Sequence, residues 1–128
     1  MKTIVNTSEA PTPIGPYNQA VRFENLLFTS GQIAIHPKTG KLVLDSIEEE
    51  TKLVMENLKA VLHKAGATFD HVLKATIFIS DMDNFEIINK IYGSYFDDDL
   101  APARETVQVA RLPKSVNVEL SVIAGLPI

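Results

Sequence analysis

The chain has 128 residues, 45% of them hydrophobic and 22% charged, with a formal net charge of −4 and no cysteine. This length suits a single domain with a genuine core, expected to span residues 1–128. The acidic balance, without any lysine or arginine cluster, is a poor match for nucleic acid, and the missing cysteines exclude disulfides, thiolate catalysis and cysteine-based zinc sites. The opening residues Met1–Thr7 lack the apolar run of a signal peptide, and no apolar stretch approaches the roughly 18 residues of a membrane span. No membrane association and a cytoplasmic location are therefore expected.

Thr3–Val5 reads as a short edge strand. Pro11, Pro13, Gly15 and Pro16 make the next segment a stiff loop with few backbone donors, and it ends at Tyr17. Ala20–Phe23 and Leu26–Ile35 read as two strands around a turn at Glu24-Asn25. Gly31 interrupts the second, and glycine within a strand marks a bulge or the close approach of another group. Ser30 is not a nucleophile elbow, because Phe28 stands where that motif needs glycine.

Ser46 and Glu49 read as a capping box opening a helix. Val54, Leu58, Val61, Leu62 and Ala65 form its core-facing stripe, and Gly66 ends it. Val72–Ser80 reads as a strand, with Leu73, Ala75, Ile77 and Ile79 on one face. Asp83 is the expected cap of a second helix, whose stripe is Phe85, Ile88, Tyr92, Tyr95 and Phe96. Ile87 and Ile91 add a second apolar line, compatible with a partner subunit or a wide internal stripe.

Pro102–Ala124 holds two alternating runs joined by a turn at Leu112–Ser115, read as a hairpin. Val107 and Val109 oppose Arg104, Thr106 and Gln108 in the first run. Val116, Val118, Leu120, Val122 and Ala124 oppose Asn117 and Glu119 in the second. The order β, β, β, α, β, α, β, β suggests two layers, with both helices on one face of a sheet. The other face is expected to carry Arg104, Thr106, Glu119 and the Gly31 strand, and to be either wet or an assembly surface.

His36, His63 and His71 have no metal-clip spacing. Asp81-Met82-Asp83-Asn84 begins like a calcium loop but has Glu86 at the glycine position and Tyr92 at the acidic one. No phosphate-binding glycine motif is present, so nucleotide cofactors have no support in the sequence. Arg104, Glu119, Tyr17 and Gly31 remain as a chemically coherent set. A guanidinium grips a carboxylate through two parallel hydrogen bonds, and a partly dry glutamate can exchange protons with water. By pattern alone, an ordinary ion pair on a solvated sheet face is the commoner explanation of two such charges.

The runs Pro102-Ala103-Arg104, Val107-Gln108-Val109-Ala110, Leu112-Pro113-Lys114 and Val118-Glu119-Leu120 closely resemble the reactive intermediate deaminase family of RidA and YjgF type. So do Gly15-Pro16-Tyr17, Gln19-Ala20, Ser30-Gly31-Gln32 and Asn89 with Tyr92 and Tyr95-Phe96. The resemblance implies a chorismate-mutase-like α+β fold, with a mixed sheet and two helices on one face. It implies a homotrimer around a central barrel, with sites in clefts between subunits. The implied reaction is cofactor-independent hydrolysis of 2-imino acids and their enamines, 2-iminobutanoate and 2-iminopropanoate among them, to 2-oxo acids and ammonia.

On that resemblance Arg104 would bind the substrate carboxylate, and Glu119 would hold and activate water. Tyr17 would close the pocket, Ser30 and Gly31 would line it, and Asn89 would contact the ligand or brace the site. Val107 stands where active members often have cysteine, and would act through its backbone. Two alternatives accompany this expectation. One is a non-catalytic module that binds small carboxylates, in which Glu119 would be dispensable. The other is an endoribonuclease or translation inhibitor, which the acidic balance disfavours.

Overall fold

The computed structural model describes residues 1–127. Six strands form one sheet: β1 (Thr3–Val5), β2 (Ala20–Phe23), β3 (Leu26–Thr29), β4 (Val72–Ile79), β5 (Ala103–Gln108) and β6 (Val118–Gly125). Two α-helices, α1 (Ile47–Lys64) and α2 (Phe85–Gly93), complete the mixed α+β fold. The strand order is β1-β2-β3-β6-β4-β5. Every pairing is antiparallel except β4 with β5. Because β3 and β4 each run antiparallel to β6, they run parallel to one another. The β3–α1–β4 and β4–α2–β5 crossovers step in the same direction across the sheet. Right-handed crossovers that step the same way put both helices on the same face.

That face is the core. Val54, Leu58, Val61 and Leu62 of α1 pack against Ala75, Ile77, Ile79, Val118, Leu120 and Ala124, all with 0% exposure. Truncating a side chain such as Leu58 to alanine there would cost about 2–5 kcal/mol. Ser46 caps α1, accepting from Glu49 N at 3.1 Å, but the expected return bond from the Glu49 side chain to Ser46 N does not form, so the capping box is only half made. Gly66 follows the last turn with φ +82°. A left-handed residue after a helix favours glycine, because a Cβ there meets the carbonyl.

Four expectations require correction. First, β5 and β6 are not a hairpin: β4 lies between them and pairs with both. Alternation sets which face a residue occupies but carries no information about which strand lies alongside. Second, β3 ends at Thr29 rather than Ile35; beyond it only Gln32↔Leu120 and Ile35↔Leu42 form bridges. Third, a bulge between Val72 and Lys74 changes the phase of β4, so Val72 is buried and Leu73 is 53% exposed. An extra unpaired residue shifts the alternation of everything before it. Fourth, the chain enters α2 through a 3-10 turn at Met82–Asn84, and Asp81, not Asp83, caps that turn by accepting from Asp83 N at 2.9 Å.

The opposite face of the sheet is largely uncovered. Ile4, Phe28, Leu73 and Val107 are among its exposed apolar side chains. A small second cluster of Ile33, Ile35, Leu112 and Val116, with Phe78 and Val109 against it, covers one end only. No helix among the described residues is long and apolar enough to cross a membrane.

Candidate active site: two separate half-sites

Glu119 lies on the open face. It is opposite Phe78 of β4, which is in turn opposite Val107 of β5, so these three residues form a row. Arg104 lies opposite Ala75, whose side chain is buried in the core, and Thr106 lies opposite Ile77. Arg104 and Thr106 therefore occupy the helix-facing side of the edge strand, contrary to the expectation that they share a face with Glu119. Both faces of an edge strand can meet water, so its alternation did not identify the inner side. Arg104 and Glu119 form no ion pair; Lys38–Glu9 and Lys74–Glu105 are the pairs among the described residues.

The first half-site is a narrow cavity of about 60 Å³ beside Glu119. Tyr17, Gly31, Ile14, Ile33, Ile35 and Pro113 help to line it. Gly31 is the close approach that its place in the sequence suggested. A Cβ built on it would stand 2.6 Å from Glu119 Oε2 and 2.7 Å from Cδ. The glutamate side chain thus lies directly across the Gly31 backbone, in a position that a Cβ at residue 31 would displace. Partial burial in this apolar setting pushes the Glu119 carboxyl above the usual carboxylate range. A carboxylate raised in this way is a better proton acceptor for water than an exposed one.

Tyr17 is delivered by the proline loop, and its hydroxyl accepts from Ile14 N at 3.3 Å. The loop has its own anchor in Gln19, which is 2% exposed. The Gln19 amide accepts from Thr7 N at 2.7 Å and donates to Thr7 O at 2.9 Å and Pro11 O at 2.9 Å, with Ala10 O further off at 3.3 Å. Prolines cannot supply donors of their own, so the loop's carbonyls need an outside one. That need was the available signal for Gln19, which sequence reasoning gave no role. Ser30 stands next to the cavity, but its hydroxyl is engaged with Asn18 O at 2.6 Å. It ties the end of β3 to the Tyr17 loop.

The second half-site surrounds Arg104 in an open groove lined by Met82, Asp83, Phe85, Glu86 and Thr106. Arg104 Nη1 donates to Asn89 Oδ1 at 2.6 Å. Its guanidinium carbon stands 5.2 Å from the Tyr92 ring centre and 5.7 Å from that of Phe85. Phe85, Asn89 and Tyr92 are spaced by four and three residues, so they form one stripe along α2. Sequence reasoning assigned Phe85 and Tyr92 to the core alone. They also hold a cation in plane, through attraction between its charge and the ring faces. Burial raises the Tyr92 hydroxyl pKa, with the Arg104 charge acting in the opposite direction. With one nitrogen on Asn89, the guanidinium retains further N–H donors in a planar fork suited to a carboxylate.

Residues 7–126 match the family described as Endoribonuclease L-PSP. The chain belongs to that family. Its L-PSP relatives include RutC family protein slr0709 of Synechocystis, 49% identical and covering 97% of this chain and 96% of the relative. Reactive Intermediate Deaminase A of Arabidopsis thaliana is 42% identical over 98% of this chain and 66% of the plant protein. Among solved L-PSP structures, Escherichia coli TdcF with bound serine has a TM-score of 0.91 at 42% identity, covering 98% of this chain and 99% of TdcF. A Thermotoga maritima protein, described provisionally as an endoribonuclease, has a TM-score of 0.96 at 48% identity and covers both chains completely. The mixed sheet with two helices is thus the L-PSP and YjgF-type fold, and reactive intermediate deaminases are among the chain's relatives.

Proposed function

We propose that the protein is a cofactor-independent deaminase of small 2-imino acids, working as a homotrimer whose sites form between copies. One observation carries this reading. The two groups that the chemistry needs, the Glu119 carboxylate and the Arg104 fork, sit on opposite sides of one sheet. A single copy cannot present both to one small ligand. The exposed apolar side chains of the open sheet face supply a surface that assembly would bury.

In the proposed reaction, Arg104 of one copy grips the substrate carboxylate and fixes its plane. The C=N carbon then faces Glu119 of another copy. Glu119 takes a proton from water as the water oxygen bonds to that carbon, forming a tetrahedral aminoalcohol. It returns the proton to nitrogen and then takes the proton of the new hydroxyl as the C–N bond breaks. The C=O bond forms, ammonia leaves, and the proton passes from Glu119 to solvent or to the departing ammonia. A protonated imine is already electrophilic, so the steps require only orientation and proton transfer. The bound serine of TdcF supports a small ligand bearing a carboxylate. Val107 would contribute backbone groups beside the row it shares with Phe78 and Glu119. Tyr17 would close the cavity over the ligand.

The test is direct. A threonine dehydratase generates the imine in solution, and 2-oxobutanoate release is followed with and without this protein. Faster release that is lost in Arg104→Ala supports the reading. Release at the uncatalysed rate, or an Arg104→Ala variant as active as wild type, refutes it.

A further inference from the structure

Glu50 and Asn57 play no part in the proposed chemistry, yet both are buried polar side chains on α1, with exposures of 0% and 1%. A buried carboxylate carries a large desolvation penalty unless its oxygens are fully hydrogen-bonded. Glu50 faces no cation in an ion pair among the described residues. It accepts instead from Asn117 N at 2.7 Å, Asn117 Nδ2 at 2.7 Å and Val118 N at 3.2 Å. Those residues immediately precede Glu119. On the other side of Glu119, Leu120 exchanges two backbone bonds with Gln32, at 2.8 and 3.1 Å. Glu119 therefore sits between two fixed neighbours, one of them fixed by Glu50.

Asn57 lies two turns further along the same face of α1. Its amide donates to Ile35 O at 3.0 Å and Ile33 O at 3.3 Å. Ile33 and Ile35 line the Glu119 cavity. Two of the three buried polar side chains of α1, the third being Thr51, thus reach two of the segments that frame this cavity. A role in general stability would not require both to converge there.

We infer that Glu50 and Asn57 are positioning residues that clamp two segments of the Glu119 cavity, Ile33–Ile35 and the residues before Glu119, to α1 and so set the place of the catalytic carboxylate. The inference rests on Glu119 acting as proposed above. It separates the two half-sites functionally. Disturbing α1 should slow the water-activation step, which depends on Glu119, and leave the Arg104 fork on β5 and α2 intact.

The test compares Glu50→Leu, Glu50→Gln and Asn57→Asp in the full-length assembled protein, assayed by imine hydrolysis below each variant's melting temperature. Glu50→Leu leaves the N–H groups without acceptors, and Asn57→Asp sets acceptor against acceptor at unchanged shape. Each is expected to lower kcat about tenfold or more, with KM within about threefold. Glutamine at position 50 can accept the backbone N–H bonds and donate to Asn117 once that amide is turned over, so Glu50→Gln should stay within about twofold of wild type. Should Glu50→Leu fail to fold, Asn117→Ala removes one donor from the same carboxylate and should lower kcat about threefold with KM unchanged. Wild-type kcat in Glu50→Leu, Asn57→Asp or Asn117→Ala, or a loss carried by KM alone, overturns the inference.

If the wild-type protein hydrolyses no imine, the functional reading fails by itself. The clamp is then judged by amide hydrogen exchange. Exchange about tenfold faster at Asn117, Val118 and Leu120 in Glu50→Leu but not in Glu50→Gln, with β1 and β2 unchanged, supports it. Equal exchange in the two variants overturns it.

Discussion

Replacing Gly31 with alanine adds one methyl group where the Glu119 side chain crosses the backbone. The added Cβ would stand 2.6 Å from Oε2, 2.7 Å from Cδ and 2.8 Å from Cγ, whereas ordinary contact begins at 3.4 Å. The carboxylate must therefore withdraw by close to an ångström. The three nearest atoms all belong to the Glu119 side chain, from Cγ outward, and none to the backbone, so the fold loses little. Gly31 is not among the positive-φ glycines, and alanine lowers the entropy of the unfolded chain, a gain of about 0.4–1 kcal/mol where the backbone tolerates it. Catalysis has no such latitude. A misplacement of about 1 Å costs on the order of 10²-fold in rate, or about 2.7 kcal/mol. Gly31→Ala should therefore fold with a melting temperature close to that of wild type, assemble normally and lose about 100-fold in kcat for imine hydrolysis. Wild-type kcat in this variant would refute the claim that the carboxylate's position over Gly31 matters. A collapse in stability would refute the reasoning that only the Glu119 side chain is displaced.

Arg104→Lys keeps the charge but removes the planar fork and its stacking on Phe85 and Tyr92, so KM should rise about 10- to 100-fold with a smaller change in kcat, measured by steady-state kinetics. Burial holds the Glu119 pKa above its unfolded value, so ionised Glu119 destabilises the fold above the raised pKa, and the penalty is relieved as pH falls through it toward the ordinary carboxylate value. Thermal melts should accordingly show Glu119→Gln more stable than wild type at neutral pH, with the difference vanishing below the ordinary carboxylate pKa. The kcat/KM profile of wild type should fall on the acid side as the same carboxylate protonates. Light scattering should give a particle of three chains of 14.1 kDa each, and a stable single-chain mass would remove the inter-subunit site.

Much of the fold was legible because its signals are local. Ser46 and the stripe from Val54 to Leu62 defined α1, and alternation from Val118 to Ala124 placed Glu119 opposite the core face. The expected pattern fails before Val118, where Val116 packs in the second cluster and Asn117 reaches Glu50 on the helix side. Gly31 announced a close approach, and the approaching group proved to be Glu119 itself. What was hidden depends on contacts distant in sequence. The insertion of β4 between β5 and β6 leaves no local trace, so Arg104 and Glu119 looked like neighbours on a hairpin. The bulge near Val72 reversed the expected side of Leu73. Glu50 stands with Glu48 and Glu49 in the first turn of α1, where the helix dipole alone favours acidic residues, although its carboxylate points inward to Asn117 and Val118. Phe85 and Tyr92 fitted the core pattern so well that their contact with Arg104 had no separate signature.

The central claim is that Arg104 and Glu119 act in one site but come from different copies of the chain. Mixing two inactive variants tests it most directly. Arg104→Ala and Glu119→Gln chains are unfolded together in equal amounts, refolded and assayed for imine hydrolysis. Random reassembly pairs an intact Arg104 half-site with an intact Glu119 half-site in roughly a quarter of interfaces, so about a quarter of wild-type activity should return. Activity no greater than that of the separately refolded variants would contradict the account.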